Sequence, residues 1–428
     1  MARFEGQRPR AHPSAVNGSG DGLNRIPTQQ RAFRPFALLR TLGLATALSA
    51  LSALAASCTA STDTQPNAVF VTTTVTTKAP NPGVGLTPVP AGTATLNGIC
   101  PDPLVVQLDG TLDMWTLPWT SLLAIDGTAI NGSYTAVMVN PIDRNPTGIK
   151  LELREVRPPD KTVAQVLRDD RTVHLGTVST DTAIAERETA PLTYLIAPWA
   201  HDDRIVWWNA SATGDALSLA EKTLDPNITV TGSMTDPAIA YLVGSSLVSR
   251  TQLTDQPGVI QFDRFLADPT GWLAGGSGRR WQFLTETGWS PYPHAVATSP
   301  SLITPLKACF EALVPIMQQA VVEVAREPER MVANLVEIAT RSGRALSPEL
   351  VRSNLRAAID NGLLNSLDGR TVAEVTSARI EQALRADATS RRARGLKAPS
   401  VNKVRQEAKV IIADFTTNDL SIPASEAT

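Results

Sequence analysis

Few side chains in this 428-residue sequence are of a type that does covalent chemistry, and their spacing does not favour it. There are three cysteines, Cys58, Cys100 and Cys309, and four histidines, His12, His174, His201 and His294. No histidine stands at metal-ligand spacing from another histidine or from a cysteine. There is no Gly-x-Ser-x-Gly elbow to present a nucleophile, and no Gly-Lys-Ser/Thr loop to cradle phosphates. Gly275-Gly-Ser-Gly278, before Arg279-Arg280, reads as a flexible hairpin loop. These patterns predict no catalysis, no cofactor and no metal. What remains is recognition, by aspartates and hydroxyls at strand ends and by large aromatics. All eight tryptophans lie between positions 115 and 289; such rings give a solute a flat surface to stack on, and a cation a π face.

Cys58 carries a different chemistry. It follows an apolar stretch of 16 residues, Leu42 to Ser57, which itself follows Arg31, Arg34 and Arg40. A basic region, an apolar segment and then small residues is the order of an export signal, and the apolar segment is short for a membrane span. A cysteine directly after the small residues resembles a bacterial lipobox, although Ala55 stands where that pattern usually has a large residue, with Leu54 one step earlier. The resemblance implies that Cys58 is diacylated and becomes the mature N-terminus. Residues 1–57 are then a signal peptide, and the protein works outside the cytoplasm. Thr59 to Leu96 has only Asp63 and Lys78 as charges and is rich in Thr, Pro, Ala and Gly. It has no period that could bury a core, so 58–96 reads as a disordered tether.

Without residues 1–57 the chain holds 32 Lys and Arg against 39 Asp and Glu, a net charge of −7. That balance argues against a nucleic-acid partner, which needs a basic face. Two cysteines are left, and an even pair in an exported chain suggests a Cys100–Cys309 disulfide.

The first half of the remaining chain alternates strands with helices. Leu104–Leu108, Ile149–Leu153, Val173–Gly176 and Thr193–Ala197 read as strands. Asp160 is placed to cap a helix carrying Val163, Val166 and Leu167 on one face, and Thr180-Asp181 to cap another as far as Glu188. Such alternation predicts a mostly parallel sheet with right-handed crossovers. Arg204–Trp208, Ile228–Thr231 and Trp281–Leu284 repeat the scheme, with a helix opened by Asp236-Pro237. After His294 the pattern turns helical. Thr304-Pro305, Glu327-Pro328 and Ser347-Pro348 open helices, the last ending at Gly362, and Pro315 should kink or divide the first. Thr371-x-x-Glu374 has the form of a capping box. The arginine-rich segment 385–410 reads as a solvated helix face.

In open α/β sheets, ligands bind at the carboxyl ends of strands. That rule selects Asp109, Thr180, Asp181, Trp208, Ser233, Asp268 and Tyr292 as the candidate ligand-binding residues, expected to face one shared cavity.

Several segments are similar to one family. Gly98–Asp109 looks like the first mature strand of ABC-transporter substrate-binding lipoproteins of the nitrate, alkanesulfonate and thiamine-pyrimidine group. Ala240–Leu247 resembles a helix of their second lobe, Tyr292–Ala297 the return to the first lobe, and Cys309–Gln319, with its Pro315, a later helix. In family members a cysteine like Cys309 pairs with one near the first strand. The similarity spans about 97–400, and it lies in the order of the segments more than in any one of them. It implies a type II periplasmic-binding-protein fold: two α/β lobes joined by two crossover segments, with a helical C-terminal tail. On this reading the first lobe takes residues 97–197 and 292–428, and the second 198–291. Family members usually have Asp-Trp after the first strand; here the sequence is Asp109-Gly-Thr-Leu-Asp-Met-Trp115, so the aromatic is absent or displaced to Trp115. The group also resembles yeast-type pyrimidine synthases, whose cysteine cluster and histidines are missing here.

The expected function is therefore a lipid-anchored, monomeric, extracytoplasmic receptor. It would trap a small organic solute between its lobes for an ABC permease, with the membrane reached through the lipid. The alternative is a surface lipoprotein acting as adaptor or sensor, with a degenerate cleft.

Overall fold

The computed structural model describes residues 95–416 except 156, 210–217, 275–277 and 365–370. The expected signal peptide, Cys58 and the expected tether as far as residue 94 lie outside the described residues. Leu96, assigned to the tether from sequence, belongs to the fold. It is fully buried, and its N–H donates to the Thr147 carbonyl at 2.8 Å.

Strand β1 (Leu104–Gln107) leads through a short turn to α1 (Leu117–Thr120). Then come β2 (Thr128–Ile130), β3 (Ser133–Val139), β4 (Pro146–Arg154), α2 (Val163–Asp169), β5 (Leu175–Val178), α3 (Thr180–Glu186) and β6 (Thr193–Ile196). With β12 (Ala295–Thr298), which arrives much later in the chain, they form a seven-stranded sheet of order β2-β3-β4-β1-β5-β12-β6. β1 is parallel to both β4 and β5, with Val106 opposite Leu153 and Leu175. All four β1 residues are buried, as a strand covered on both faces requires. β12 runs antiparallel to β5 and β6.

Between β6 and β12 the chain builds a second sheet. Its strands are β7 (Arg204–Asn209), β8 (Val230–Thr231), β9 (Leu253–Thr254), β10 (Ile260–Arg264) and β11 (Arg279–Phe283), in the order β11-β7-β10-β8-β9. Helices α4 (Leu219–Lys222), α5 (Pro237–Gly244) and α6 (Pro269–Leu273) belong to this part. The two sheets are joined by residues 197–203 outward and 284–294 on the return.

After β12 come α7 (Pro300–Ile303), α8 (Lys307–Arg326), α9 (Pro328–Arg341), α10 (Pro348–Asp360), α11 (Ser377–Ala393) and α12 (Val401–Val410). α8 is long and apolar but mostly buried, so it is a core helix of the first lobe. Cys309 near its start is bonded to Cys100.

Several local expectations are corrected. Thr162, not Asp160, caps α2: its hydroxyl accepts from Gln165 N at 3.3 Å, and the Gln165 side chain accepts from Thr162 N at 3.2 Å. Pro300, not Pro305, opens the first helix after β12. Pro315 does not divide α8, which runs unbroken for 20 residues with Leu313, Val314, Ile316 and Met317 buried around the proline. Thr371-x-x-Glu374 caps no helix. Val372 and Ala373 are fully buried there, Ala197 N and the Gln318 side chain bond their carbonyls, and Thr376 caps α11 instead.

The segment read as a solvated face is in large part an interior brace. α11 packs on α5 of the second lobe and on α3 of the first. Ile380, Ala383 and Leu384 join the first lobe's core, while Ala386 joins the second lobe's core. The two helices approach tightly at Gly244, where an added Cβ would lie 2.8 Å from Thr389 Cγ2 and 2.9 Å from its carbonyl oxygen. Gly244→Val is expected to cost about 1–3 kcal/mol by overpacking that crossing. A thermal melt checks it, with exposed Ser245→Ala as the control; equal midpoints for the two variants would refute the tight crossing.

Candidate functional site

The carboxyl ends of β1, β4 and β5 meet at a small cavity of 240 Å³. Its wall carries Asp109, Arg157, Thr162, Ser179 and Thr182 among Val163, Ala164, Val178 and Ala183. Asp109 stands two residues beyond the end of β1, and its N–H donates to Thr177 Oγ1 at 2.8 Å, which fixes the turn. Arg157 Nη1 donates to Asp109 Oδ1 at 3.0 Å, and Arg157 Nε to the Lys161 carbonyl at 3.0 Å. Burial pushes the Asp109 carboxyl above its ordinary range, opposed by Arg157. Arg157 was not singled out from sequence. The strand-end rule that selected Asp109 reaches it once β4 is known to lie parallel beside β1.

Asp181 stands at the start of α3 and pairs with Arg204 Nη2 at 3.2 Å. Arg204 opens β7, so this bond ties the first lobe to the second lobe's entry strand. The chain of charges continues: Arg204 Nε bonds Asp202 Oδ2 at 2.8 Å, and Arg264 Nη1 reaches Asp202 at 2.8 Å and Asp203 at 2.5 Å. Both aspartates are buried, and burial pushes the Asp203 carboxyl upward against the pull of Arg264.

The other candidates go elsewhere. Thr180 is fully buried and acts as a fastener: its N–H donates to the Tyr292 carbonyl at 3.0 Å and its hydroxyl accepts from Tyr292 N at 2.8 Å. The Tyr292 ring is buried beneath the Arg379 guanidinium, 3.9 Å from its centroid, and its hydroxyl accepts from Thr376 N. Trp208 is fully buried in the second lobe's core. Neighbouring strand residues point to opposite faces, and it is Trp207 that stays partly exposed. Asp268 caps α6, accepting from Gly271 N at 3.0 Å. Ser233 is exposed and accepts from Thr235 N at 3.3 Å. The seven candidates therefore do not line one cavity. Asp109 faces the pocket, and Asp181 stands next to its Ser179.

Trp115 sits between the first sheet and the two connections, against Trp199 and His294. It stacks on His294 at 5.1 Å and meets Trp199 edge-on at 5.0 Å, while Trp199 Nε1 donates to the Trp115 carbonyl. From the first sheet one apolar cluster continues to Ile205, Phe265, Leu266 and Trp272 of the second lobe.

Each connection between the sheets carries a histidine held neutral. Burial pushes His201 down to about 4, helped by the Arg379 charge, and burial pushes His294 down to about 4. An unfolded histidine takes its proton near pH 6.5. The stabilisation is therefore complete above pH 6.5 and is lost as pH falls toward 4. Asp113, which burial raises to about 6, works with the opposite sign over part of that range. The carboxyls of Asp109, Asp203 and Glu286, which burial also raises, act in the same sense as Asp113, so the histidine contribution is read as a difference. Between pH 6.5 and pH 4.5 the wild-type midpoint should lose more than that of the His201→Gln/His294→Gln variant, which lacks the two rings; an identical profile would remove the assignment.

Among the described residues, no group of three His, Cys, Asp or Glu side chains could hold a metal ion. No family model matches the sequence, and no curated protein matches it. Solved structures do align. The periplasmic aliphatic sulphonate binding protein of Escherichia coli is 11% identical over 72% of this chain and 92% of its own, with a TM-score of 0.49. The alkanesulfonate-binding protein of Xanthomonas axonopodis pv. citri is 13% identical over 74% and 100%, at 0.37. A Candida albicans gene product described as having the generic periplasmic binding protein fold is 10% identical over 75% and 99%, at 0.41. At such values the likeness adds nothing to what the strand order and the two connections already give: the chain has a type II periplasmic-binding-protein fold, with its C-terminal helices packed around both lobes.

Proposed function

We propose that this chain is an extracytoplasmic solute-binding receptor of an ABC importer, anchored through a lipid on Cys58 and performing no chemistry. One observation carries the reading. The carboxyl ends of β1, β4 and β5 open on a polar cavity in the first lobe, where an α/β sheet of this kind places its ligand. The lobes are 97–197 with 292–428, and 198–291, and the tether gives the receptor reach to its permease. Thermal-shift screening of the protein against sulfonates, pyrimidines, amines and small anions tests it, since a ligand selective for the folded state raises its midpoint. No shift with any class would count against it. Cys58→Ala should release the protein from the membrane or leave it unprocessed; unchanged fractionation would remove the anchor.

The second reading is a surface lipoprotein adaptor or sensor whose lobes do not part. The unbroken apolar cluster and the α11 brace favour it. Small-angle scattering separates the two: a ligand-dependent change in radius of gyration belongs to the receptor, and an invariant one to the adaptor.

A further inference from the structure

The cavity wall is half-satisfied in a specific way. Asp109 and Arg157 spend one atom each on their mutual bond. Among the described residues, Asp109 Oδ2, Arg157 Nη2 and Thr182 Oγ1 have no hydrogen-bond partner. Both charged side chains remain about a third exposed, at 34% and 32%. One cavity wall thus offers a free carboxylate oxygen, a free pair of guanidinium hydrogens and a hydroxyl.

We propose that this cavity binds a small zwitterion, an α-amino acid with a short side chain, through its ammonium on Asp109 and its carboxylate on Arg157. The inference rests on the solute-binding reading above and names the class of solute.

Charge balance decides against the simpler ligands. The wall pairs one negative with one positive group, so a lone cation meets Arg157 and a lone anion meets Asp109. A zwitterion satisfies both. Because the two wall groups bond at 3.0 Å, the ligand's opposite charges must also lie close together. One intervening carbon, as in an α-amino acid, meets that condition. The Arg157 fork suits a planar carboxylate. Size agrees, since 240 Å³ is below the range of roughly 300–1,000 Å³ typical of drug-sized pockets. Val163, Ala164, Val178 and Ala183 leave an apolar wall for a small side chain.

The test is calorimetric titration and thermal shift of the full-length protein with alanine, serine, ethylamine, propionate and ethanesulfonate. The amino acids are expected to bind, with ethylamine and propionate at least tenfold weaker. Asp109→Asn and Arg157→Gln should each weaken alanine at least tenfold while leaving the unliganded midpoint within about 2 °C, because an ion pair a third exposed contributes little to stability. Equal binding of ethylamine or propionate, or unchanged alanine affinity in the variants, overturns the proposal. Binding of ethanesulfonate without the amino acids overturns it and leaves the receptor standing. Binding of nothing in this panel or the wider screen removes both.

Discussion

Asp387→Ala should destabilise the fold by about 3–5 kcal/mol, the range for stripping one partner from a buried ion cluster. Asp387 is 4% exposed, in the middle of α11. It accepts from Arg187 Nη1 at 3.0 Å and from Arg391 Nε at 3.0 Å. Arg187 also reaches Glu407 of α12 at 3.1 Å, and Arg391 Nη2 reaches the Ala185 carbonyl at 2.8 Å. The cluster therefore rivets α11 and α12 to the end of α3. Removing the carboxylate leaves two guanidinium groups with much of their charge uncompensated, and Arg187 Nη2 already lacks a partner among the described residues. Native proteins hold only about 5–15 kcal/mol in total, so the loss is a large share. Replacing the central pair, Asp387→Leu with Arg187→Met, should recover part of the stability, because that pair then needs no compensation while Arg391 and Glu407 each still lose an ion-pair partner. Denaturant melts of the two single variants and the double measure the coupling. Additive losses would mean that the charges do not act as one cluster.

The same helix shows where sequence and structure part. Segment 385–410 carries enough charge to read as a solvent face, but its Asp387 and Glu407 are paired with Arg187 at the end of α3, its Arg391 turns in on Asp387, and its Ala386 and Ala408 pack in the cores of the two lobes. Pairing partners 200 residues away leave no local mark in sequence. The strands that were legible, β1, β4, β5, β6, β7, β8 and β11, are short apolar, β-branched or aromatic runs, or alternate cleanly. The β2–β3 hairpin was missed although its signal is present: Asn131 and Gly132 take φ of 50° and 76°, the two positive values a tight hairpin turn needs. β12 was missed because Ala295-Val-Ala-Thr298 is short and buried throughout, so it shows no alternation.

The candidate site was legible at one point only. Asp109 follows the strand at the centre of the sheet, and it lines the cavity there. Asp268 obeys another rule: Asp-Pro at a helix start is a cap, as at Asp236. Trp208 failed on parity, since of two adjacent strand residues one must face the core. Arg157 and Arg204 were missed because each pairs with an aspartate distant in sequence, Asp109 beyond β1 and Asp181 at the start of α3.

Removing the Cys100–Cys309 bond should have the largest effect of all. The bond closes a loop with a sequence separation of 209, which contains both connections and the whole second sheet. In the chain-entropy account, a loop of this length removes about 5 kcal/mol of unfolded-state freedom. At roughly 2–4 °C per kcal/mol for folds of this size, the midpoint should fall by at least about 10 °C. A local effect adds to the global one. The bond pins the first described residues, where Leu96 is buried and Asp102 Oδ1 accepts from Lys150 N at 2.9 Å, against the start of α8. Releasing it should let this segment fray, and amide exchange at Leu96–Cys100 should rise before that of β1. Cys309 is fully buried, so Cys309→Ala alone mixes the lost bond with a small cavity. Reduction of the wild type in the calorimeter, compared with the double alanine variant, separates the two. If the reduced protein melts within about 2 °C of the oxidised one, the disulfide is a passive feature of the fold, and the N-terminal segment is held by its own packing.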